Sequence, residues 1–247
     1  MVHRSLARSR PGVGGVTRLL FVASAPMEFS AMLSLTHGHA RTMAPLEWAY
    51  SGTLGNYEVL FAAHGAGWKR AAAAVDVAYA GFRPDAVIST GFCGALDPQL
   101  RIGEAVVGTV VASPDRSYRA EPLRAGAAYE SGVVSSIDHV ARTVAEKRAL
   151  RASGASVVEM EAAGVAARAA ALRLPFYCVR AVTDSASEDM ANDFNAALRA
   201  DGHFDTMLIF RHALSRPAAR IPELLRLRRN CKRAARTLGE FFADCQL

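Results

Sequence analysis

The feature that most constrains the fold is a repeated alternation between short apolar runs rich in β-branched residues and segments with helical spacing. Such runs are typical of buried strands, and strands that alternate with helices predict a layered α/β fold around one sheet. The predicted strands are residues 19–22, 47–54, 57–63, 86–89, 104–112, 132–135, 157–158 and 175–182. The predicted helices are residues 29–33, 68–80, 138–150, 162–173, 193–199, 206–214 and 221–243.

The connections between these elements are predicted from turn residues. Gly55 and Asn56 separate two strands, which is the setting of a β-hairpin. The polar segment 113–129 is interpreted as a loop, and Pro217 and Pro222 are expected to mark breaks near the C-terminus.

Composition favours one soluble unit. The chain of 247 residues is 51% apolar and 21% charged, so we expect a disordered extension over residues 1–16 and a single domain over residues 17–247. No apolar run approaches the roughly 20 residues of a membrane span. The four cysteines are far apart and form no CxxC pair, so neither a zinc site nor a disulfide framework is indicated. We therefore expect a cytoplasmic protein without a metal or other cofactor.

The net charge of +6 is concentrated in the C-terminal tail. From Arg211 onward there are nine Lys or Arg and three Asp or Glu residues, which accounts for the whole excess. The predicted helix 221–243 is amphipathic with a basic face, typical of a packed helix with a solvated side or of peripheral contact with an acidic membrane. Nucleic-acid binding is disfavoured, because no aromatic residues are interleaved on that face.

Three carboxylates lie where a predicted strand gives way to a turn or helix. Glu161 follows the strand 157–158, Glu28 follows the first strand, and Asp184 follows the strand 175–182. Open α/β sheets bind ligands at the carboxyl ends of strands, so these acids are candidates for one site. Each also has a structural interpretation, because acids stabilise helix N-termini. Successive helical residues are about 100° apart, so Glu159 is not expected to face a ligand together with Glu161.

Two glycine-containing turns are further candidates for ligand contact. Residues 64–67 (HGAG) could cradle an anion, although a histidine such as His64 in a loop is more commonly structural. Residues 90–96 (TGFCGAL) follow a strand, where glycine lets the backbone approach a ligand closely.

Five motifs in a fixed order carry a resemblance to a known family. They are residues 51–55 (SGTLG), 84–91 (PDAVISTG) through Gly94, 102–107 (IGEAVV), 158–162 (VEMEA) and 179–186 (VRAVTDSA). Over about residues 18–112 and 131–190 the chain resembles the purine/uridine phosphorylase superfamily and, within it, the methylthioadenosine/S-adenosylhomocysteine nucleosidases. The resemblance implies a three-layer α/β fold whose central twisted, partly barrel-like mixed sheet is flanked by helices.

The resemblance also implies roles for residues of this chain. Glu28 matches the general base that activates water, and Asp184 matches the acid that protonates a purine ring nitrogen. Met160 and Glu161 match the pair that holds the ribose. The further candidates for substrate contact are Gly91, Phe92, His139 and Val158. Cleaving an N-ribosidic bond needs such acids, because the transition state is oxocarbenium-like and a purine anion leaves poorly unless it is protonated.

Hydrolysis is favoured over phosphorolysis. The related phosphorylases hold phosphate with arginines and a serine, whereas Ser89, Phe92 and the arginine-free residues 25–28 (APME) stand at the corresponding places. Phosphate without arginine is poorly stabilised, and Glu28 would repel it. A phosphorylase and a non-catalytic nucleoside-binding or membrane-associated protein are the alternatives; Phe92, where the family usually has serine, and His139, near its base-stacking aromatic, favour the latter.

A looser resemblance concerns the substituent at the 5′ position. Residues 193–195 (DFN), 200–202 (ADG) and the basic C-terminal helix resemble the hopanoid-biosynthesis branch, which acts on adenosylhopane. The segment 113–131 is shorter than in the methylthioadenosine enzymes, and is therefore expected to open the 5′ side of the pocket. The resemblance further implies a homo-oligomer, with a dimer favoured.

Overall fold

The computed structural model describes residues 17–246, which form one mixed sheet of ten strands, a separate two-stranded sheet and helices. The strands are β1 (Thr17–Ala23), β2 (His37–Arg41), β3 (Trp48–Leu54), β4 (Tyr57–Ala63), β5 (Ala86–Ala95), β6 (Ala105–Ala112), β7 (Ser117–Arg119), β8 (Arg124–Ala125), β9 (Glu130–Ser136), β10 (Ala155–Glu159), β11 (Phe176–Asp184) and β12 (Cys245–Gln246). The helices are a 3-10 turn (Pro26–Phe29), α1 (Ser30–Ser34), α2 (Trp68–Phe82), α3 (Val144–Ala152), α4 (Ala162–Leu172), α5 (Phe194–Ala197), α6 (Thr206–Ser215) and α7 (Pro217–Ala243).

The large sheet is organised around β5. Strands β1 and β11 pair with it in parallel on either side, and β10 pairs with its C-terminal end in antiparallel orientation. That last pairing closes β5, β11, β6, β9 and β10 into a ring, while β1, β4, β3 and β2 continue as an open sheet. This confirms the expected mixed, partly barrel-like sheet.

Helices cover both faces of the sheet and make three layers. One core cluster joins the sheet to alanines and valines of α2 and α4, and a second joins it to the C-terminal half of α7. Strands covered on both faces need apolar residues at successive positions, which explains the nearly unbroken burial of β5 and β11. The predicted hairpin at Gly55 and Asn56 is confirmed by the antiparallel register of β3 and β4.

Several predicted boundaries were wrong. The helix expected over residues 138–150 begins at Val144, because the Thr143 side chain accepts from the Glu146 N–H and caps the helix there. The segment 113–129, interpreted as a loop, contains β7 and β8, which are short and polar. Strand β2 was missed because all five of its residues are exposed and give no apolar alternation.

The C-terminal helix starts earlier than the expected residue 221. Pro217 occupies its first turn, where proline is tolerated, and Pro222 lies inside the helix without ending it. The adjacent turn is anchored by Glu223, whose carboxylate accepts from the N–H groups of Ala191 and Asn192. Within residues 17–246, no helix combines the length and apolarity that a membrane crossing requires.

Candidate active site

A cavity of about 380 Å³ lies where β1, β5, β10 and β11 end. Its lining combines four acids with an apolar wall. The acids are Glu28, Glu159, Glu161 and Asp184. Apolar residues from the segment before α5 through α7 form much of the wall: Met190, Phe194, Phe204, Ile209 and Leu227. The closure of β10 onto β5 is what brings the acids of separate motifs to one place.

Glu28 is held rigidly at the mouth of β1. Its Oε2 accepts from the N–H of Ser24 and of Ala25 at 2.8 and 2.9 Å and from the Ser24 hydroxyl at 2.7 Å, and its Oε1 accepts from the Phe92 N–H at 2.8 Å. Gly91, with φ of 135°, lies directly behind this carboxylate, where an added Cβ would overlap Oε1. Gly91 therefore makes room for Glu28 and is absent from the cavity lining, whereas Phe92 is part of it.

Glu161 lies between the N-termini of two helices. It is the N-cap residue of α4, and its Oε1 accepts from the N–H of Gly67, the N-cap of α2, at 3.1 Å. Helix α2 comes this close because Gly164 has no side chain, since a Cβ there would overlap the Trp68 carbonyl oxygen. The glycine turn predicted as an anion cradle thus binds a carboxylate of the protein itself.

Burial, reinforced by the neighbouring carboxylates Glu159 and Glu28, raises the pKa of Glu161 to about 8 against the opposing charge of Arg180. At neutral pH the Glu161 carboxyl of the free protein is therefore protonated. It can both donate and accept a hydrogen bond.

Glu159 is paired with an arginine that the sequence analysis did not single out. Arg180 is fully buried on β11, with its Nη2 2.6 Å from Glu159 Oε2 and also 2.6 Å from the Ser89 hydroxyl. Burial alone would lower the pKa of Arg180, but Glu159 and further acids raise it, so its charge is permanent. The same Glu159 oxygen accepts from the N–H groups of Glu161 and Ala162. One ion pair thus fixes the start of α4 and the acid it carries.

Asp184 follows a local irregularity in β11. The register with β5 shifts between Val182 and Asp184, which directs the carboxylate into the cavity. Its Oδ2 is 2.6 Å from Lys147 Nζ, and its Oδ1 accepts from the Thr183 hydroxyl at 3.0 Å. Gly94 leaves space for it, because an added Cβ would come within 2.7 Å of Oδ2. The sequence indicated helix α3 only as a segment of mixed charge and gave no reason to select Lys147.

The other candidate contacts lie around the cavity. Val158 and Met160 line it from β10 and the turn after it, and His139 lines it from the loop before α3. The His139 ring is half-exposed and contacts Asp138 at 2.7 Å and Glu146 at 2.5 Å; its hydrogen bond with Asp138 is the main reason that its pKa is raised. His139 is therefore a polar, partly charged part of the rim.

Of the motif residues 193–195 and 200–202, Phe194 and Gly202 line the cavity. Asn195 bonds both the N–H and the carbonyl of Val140, which fixes the loop that carries His139. Gly202, with φ of 75°, accepts from the Ala66 N–H, and His203 contacts Glu47 at 2.5 Å. His64 does not line the cavity, and burial lowers its pKa.

Arginine and lysine side chains are absent from the described part of the cavity, and so is any cluster that could hold a metal ion. None of the lining residues is an arginine or lysine, and no cluster of three His, Cys, Asp or Glu within residues 17–246 could hold a metal ion. The lining thiols are not nucleophiles, because burial raises the pKa of Cys231 to about 12 and that of Cys93 well above its usual value. The segment 113–131, expected to affect the cavity, contributes no lining residue and packs instead against the end of α7.

Comparison with known proteins identifies relatives of this chain. The model of a family described as the phosphorylase superfamily matches residues 47–121 and 114–208. The 5′-methylthioadenosine/S-adenosylhomocysteine nucleosidase of Staphylococcus saprophyticus is 28% identical over 178 residues, which are 60% of this chain and 78% of that protein.

Two solved structures have a similar fold. The S-adenosylhomocysteine nucleosidase of Streptococcus pyogenes, in complex with 5-methylthiotubericidin, superposes with a TM-score of 0.70 at 20% identity, over 93% of this chain and 98% of that one. The futalosine hydrolase of Helicobacter pylori superposes with a TM-score of 0.66 at 16% identity, over 92% and 97%.

Proposed function

The chain belongs to the phosphorylase superfamily, and on that premise we propose that it is a purine-nucleoside N-ribosyl hydrolase that releases adenine from a 5′-substituted adenosine. The observation that carries the proposal is a cavity lined by four acids and by no arginine or lysine among the described residues. The named relatives are nucleosidases and a hydrolase, which agrees with it.

Glu28 is proposed as the base that takes a proton from the attacking water. Four hydrogen bonds fix both of its oxygens, so its orientation is set before substrate arrives. A water placed between Glu28 and the ribose would attack C1′ as the bond to the purine breaks.

Glu161 and Met160 are proposed to hold the ribose. Because the Glu161 carboxyl is neutral below its raised pKa of about 8, it can donate to one ribose hydroxyl and accept from another. As positive charge develops on the ribose, the Glu161 carbonyl oxygen that accepts from a ribose hydroxyl stabilises that charge.

Asp184 is proposed to deliver a proton to a purine ring nitrogen, with Phe92, Val158 and His139 around the base. Phe92 lines the cavity next to Glu28, and Val158 and His139 line it as well. Apolar contacts above and below a planar base and one polar group at its edge are the usual means of orienting such a ligand.

Phosphorolysis is the second candidate and is disfavoured by charge. A doubly charged phosphate would enter a cavity of four acids with no arginine or lysine in its described lining, and the Gly67 N–H is already taken by Glu161. Adenine release should therefore proceed equally well with and without inorganic phosphate. Strict phosphate dependence would identify a phosphorylase, and tight nucleoside binding without any release would identify a non-catalytic binding protein.

The apolar wall favours a substrate with a large apolar 5′ substituent. Adenosylhopane has the largest such substituent among the candidate substrates, and methylthioadenosine and S-adenosylhomocysteine are the smaller candidates. Residues Phe194, Phe204 and Ile209 supply a surface without charged groups. A series of adenosines with 5′ groups of increasing apolar size tests this. We expect kcat/KM to rise with size, and a preference for the smallest or for a charged substituent would contradict it.

Cytoplasmic location with peripheral membrane contact is proposed from helices α6 and α7. The apolar face of α7 is packed inside the protein, with Ala234, Leu238 and Phe241 buried, so it is not free to touch lipid. Helix α6 instead exposes Met207, Phe210 and Leu214 beside the basic tail. Sedimentation with phosphatidylglycerol vesicles, but not with phosphatidylcholine vesicles, is the expected result. A homodimer is proposed by analogy alone, and light scattering would test it.

A further inference from the structure

Lys147 is a buried cation whose side-chain amine contacts an acid of the cavity. Its side chain is 1% exposed, and Nζ donates to Asp184 Oδ2 and to the Ser185 carbonyl oxygen, both at 2.6 Å. Lys147 belongs to α3, whereas Asp184 is the last residue of β11 and Ser185 follows it. The contact therefore joins two elements that are distant in sequence.

This contact conflicts with a simple role for Asp184 as an acid. In this contact the Lys147 ammonium group donates and Asp184 Oδ2 accepts, so this oxygen faces a donor and not a base. The second oxygen of Asp184 is 3.0 Å from the Thr183 hydroxyl, whose single proton is shared between this oxygen and the Cys93 carbonyl oxygen at 3.2 Å. An acid that must protonate a leaving purine therefore needs another source of the proton.

We propose, resting on the proposed function, that Lys147 stores that proton and passes it to the purine through Asp184. When the bond from C1′ to the purine nitrogen breaks, its electron pair stays on the purine and raises the basicity of the ring. A proton then moves from Lys147 Nζ to Asp184 Oδ2, and the carboxyl so formed passes that proton to the ring nitrogen, which leaves a neutral amine, an ionised Asp184 and a neutral purine. The attacking water gives its proton to Glu28. Solvent afterwards removes the proton from Glu28 and restores one to Lys147.

The groups around the pair leave Lys147 as the proton source. Cys93 on β5 and Cys231 on α7 face Asp184, and burial keeps both thiols protonated at neutral pH by raising their pKa values. On α3, Glu146 is turned to His139, and Arg151 is paired with Asp97. Asp189 accepts from the Val144 N–H at the start of the helix. Each of these charged groups has a partner of its own.

Replacing Lys147 by arginine distinguishes a residue that supplies a proton from one that supplies only a fixed positive charge. An ammonium group can release its proton when buried, whereas a guanidinium keeps its charge in proteins. A purely structural ion pair would accept arginine, while a relay would not. Lys147 is a positioning and proton-supplying residue, because Asp184 stands between it and the substrate.

The test compares Lys147→Arg and Lys147→Met with the wild type in adenine release from a 5′-substituted adenosine. The matched control is Arg151→Met, one turn later on α3, which removes a half-exposed ion pair. We expect both Lys147 variants to lose about 100-fold in kcat at neutral pH with little change in KM, and the control to stay within about threefold of wild type.

The pH profile gives a readout that a structural role would not change. In Lys147→Met the Asp184 carboxyl must itself be protonated to act, so the alkaline limb of the kcat profile should move to lower pH by at least about one unit. Lys147→Arg keeps the positive charge and tests the relay even if the methionine variant folds poorly.

Three results would decide against the relay. A Lys147→Arg protein within threefold of wild-type kcat, or a Lys147→Met profile that superimposes on the wild type, would overturn it while the proposed hydrolysis stands. A wild-type protein that releases purine from no nucleoside would overturn the hydrolysis and the relay together.

Discussion

The two buried ion pairs of the site use cations of different chemistry. Arg180 and Glu159 are both almost completely buried, and their contact fixes the start of α4. Lys147 is equally buried, but its partner Asp184 is 18% exposed at the cavity surface. A permanent guanidinium suits a pair that only orients other groups, whereas an ammonium can give up its proton. The Arg180–Glu159 pair therefore orients the site, whereas the Lys147–Asp184 pair takes part in the proposed proton transfer.

The largest effect is expected from Asp184→Asn, which breaks the ion pair between Lys147 and Asp184. Asparagine keeps the shape and can still accept from Lys147, but it cannot carry a proton to the purine. We expect kcat to fall by about 1,000-fold or more, measured as adenine release. The circular dichroism spectrum and melting temperature should stay close to wild type, and a folded variant with wild-type turnover would contradict the acid role of Asp184.

The Arg180–Glu159 pair is expected to contribute mainly to stability, so Glu159→Gln should lower the free energy of unfolding. The variant leaves the Arg180 guanidinium buried without its counter-charge, which costs about 3 kcal/mol of unfolding free energy. Urea denaturation followed by fluorescence measures this loss. If the free energy of unfolding falls by less than about 1 kcal/mol, Arg180 has other compensation and the distinction between the two pairs fails.

A smaller effect, dependent on pH, is expected from Glu161→Gln. The pKa of Glu161 is raised from 4.5 to about 8 in the folded state, so between these values the unfolded chain loses the proton and the folded protein keeps it. Folded-state stability is therefore highest below pH 4.5 with respect to this group and decreases as the pH rises to about 8. The glutamine variant should lack this decrease and be more stable than wild type at pH 8, with the smallest difference between the two proteins below pH 4.5. Parallel stability curves for the two proteins between pH 5 and 8 would contradict the raised pKa.

The smallest effect is expected at an exposed pair. Arg168 and Asp76 are 2.5 Å apart, but their side chains are 37% and 48% exposed. Replacing Arg168 by Gln should change the unfolding free energy by about 0.5 kcal/mol or less, because water screens such pairs. A loss comparable to that of Glu159→Gln would show that burial does not separate these pairs.

Much of the fold was predictable because its signals are local. Apolar runs gave the strands of the core, and Gly55 with Asn56 gave the hairpin, since these patterns depend on neighbouring residues. Strand β2 could not be found in this way, because it is an exposed edge whose pairing with β3 is its main determinant.

The site was predictable in its acids and less so in its cations. Glu28, Glu161 and Asp184 lie at strand ends, where a carboxylate stands out. Arg180 offered one signal, a charge within an otherwise apolar strand, and it was overlooked. Lys147 offered none, because its partner is 37 residues away in sequence and only the closure of the sheet brings α3 to β11.

The hydrogen bond from the Gly67 N–H to Glu161 connects the stability of the folded protein to its affinity for the nucleoside. The free energy needed to bury and orient this carboxyl is spent when the protein folds, so the substrate meets a group that is already in place. A substitution that relieves the burial should therefore yield a sturdier protein that binds nucleoside less well. Selection for thermal resistance alone would therefore be expected to remove Glu161 at the expense of activity.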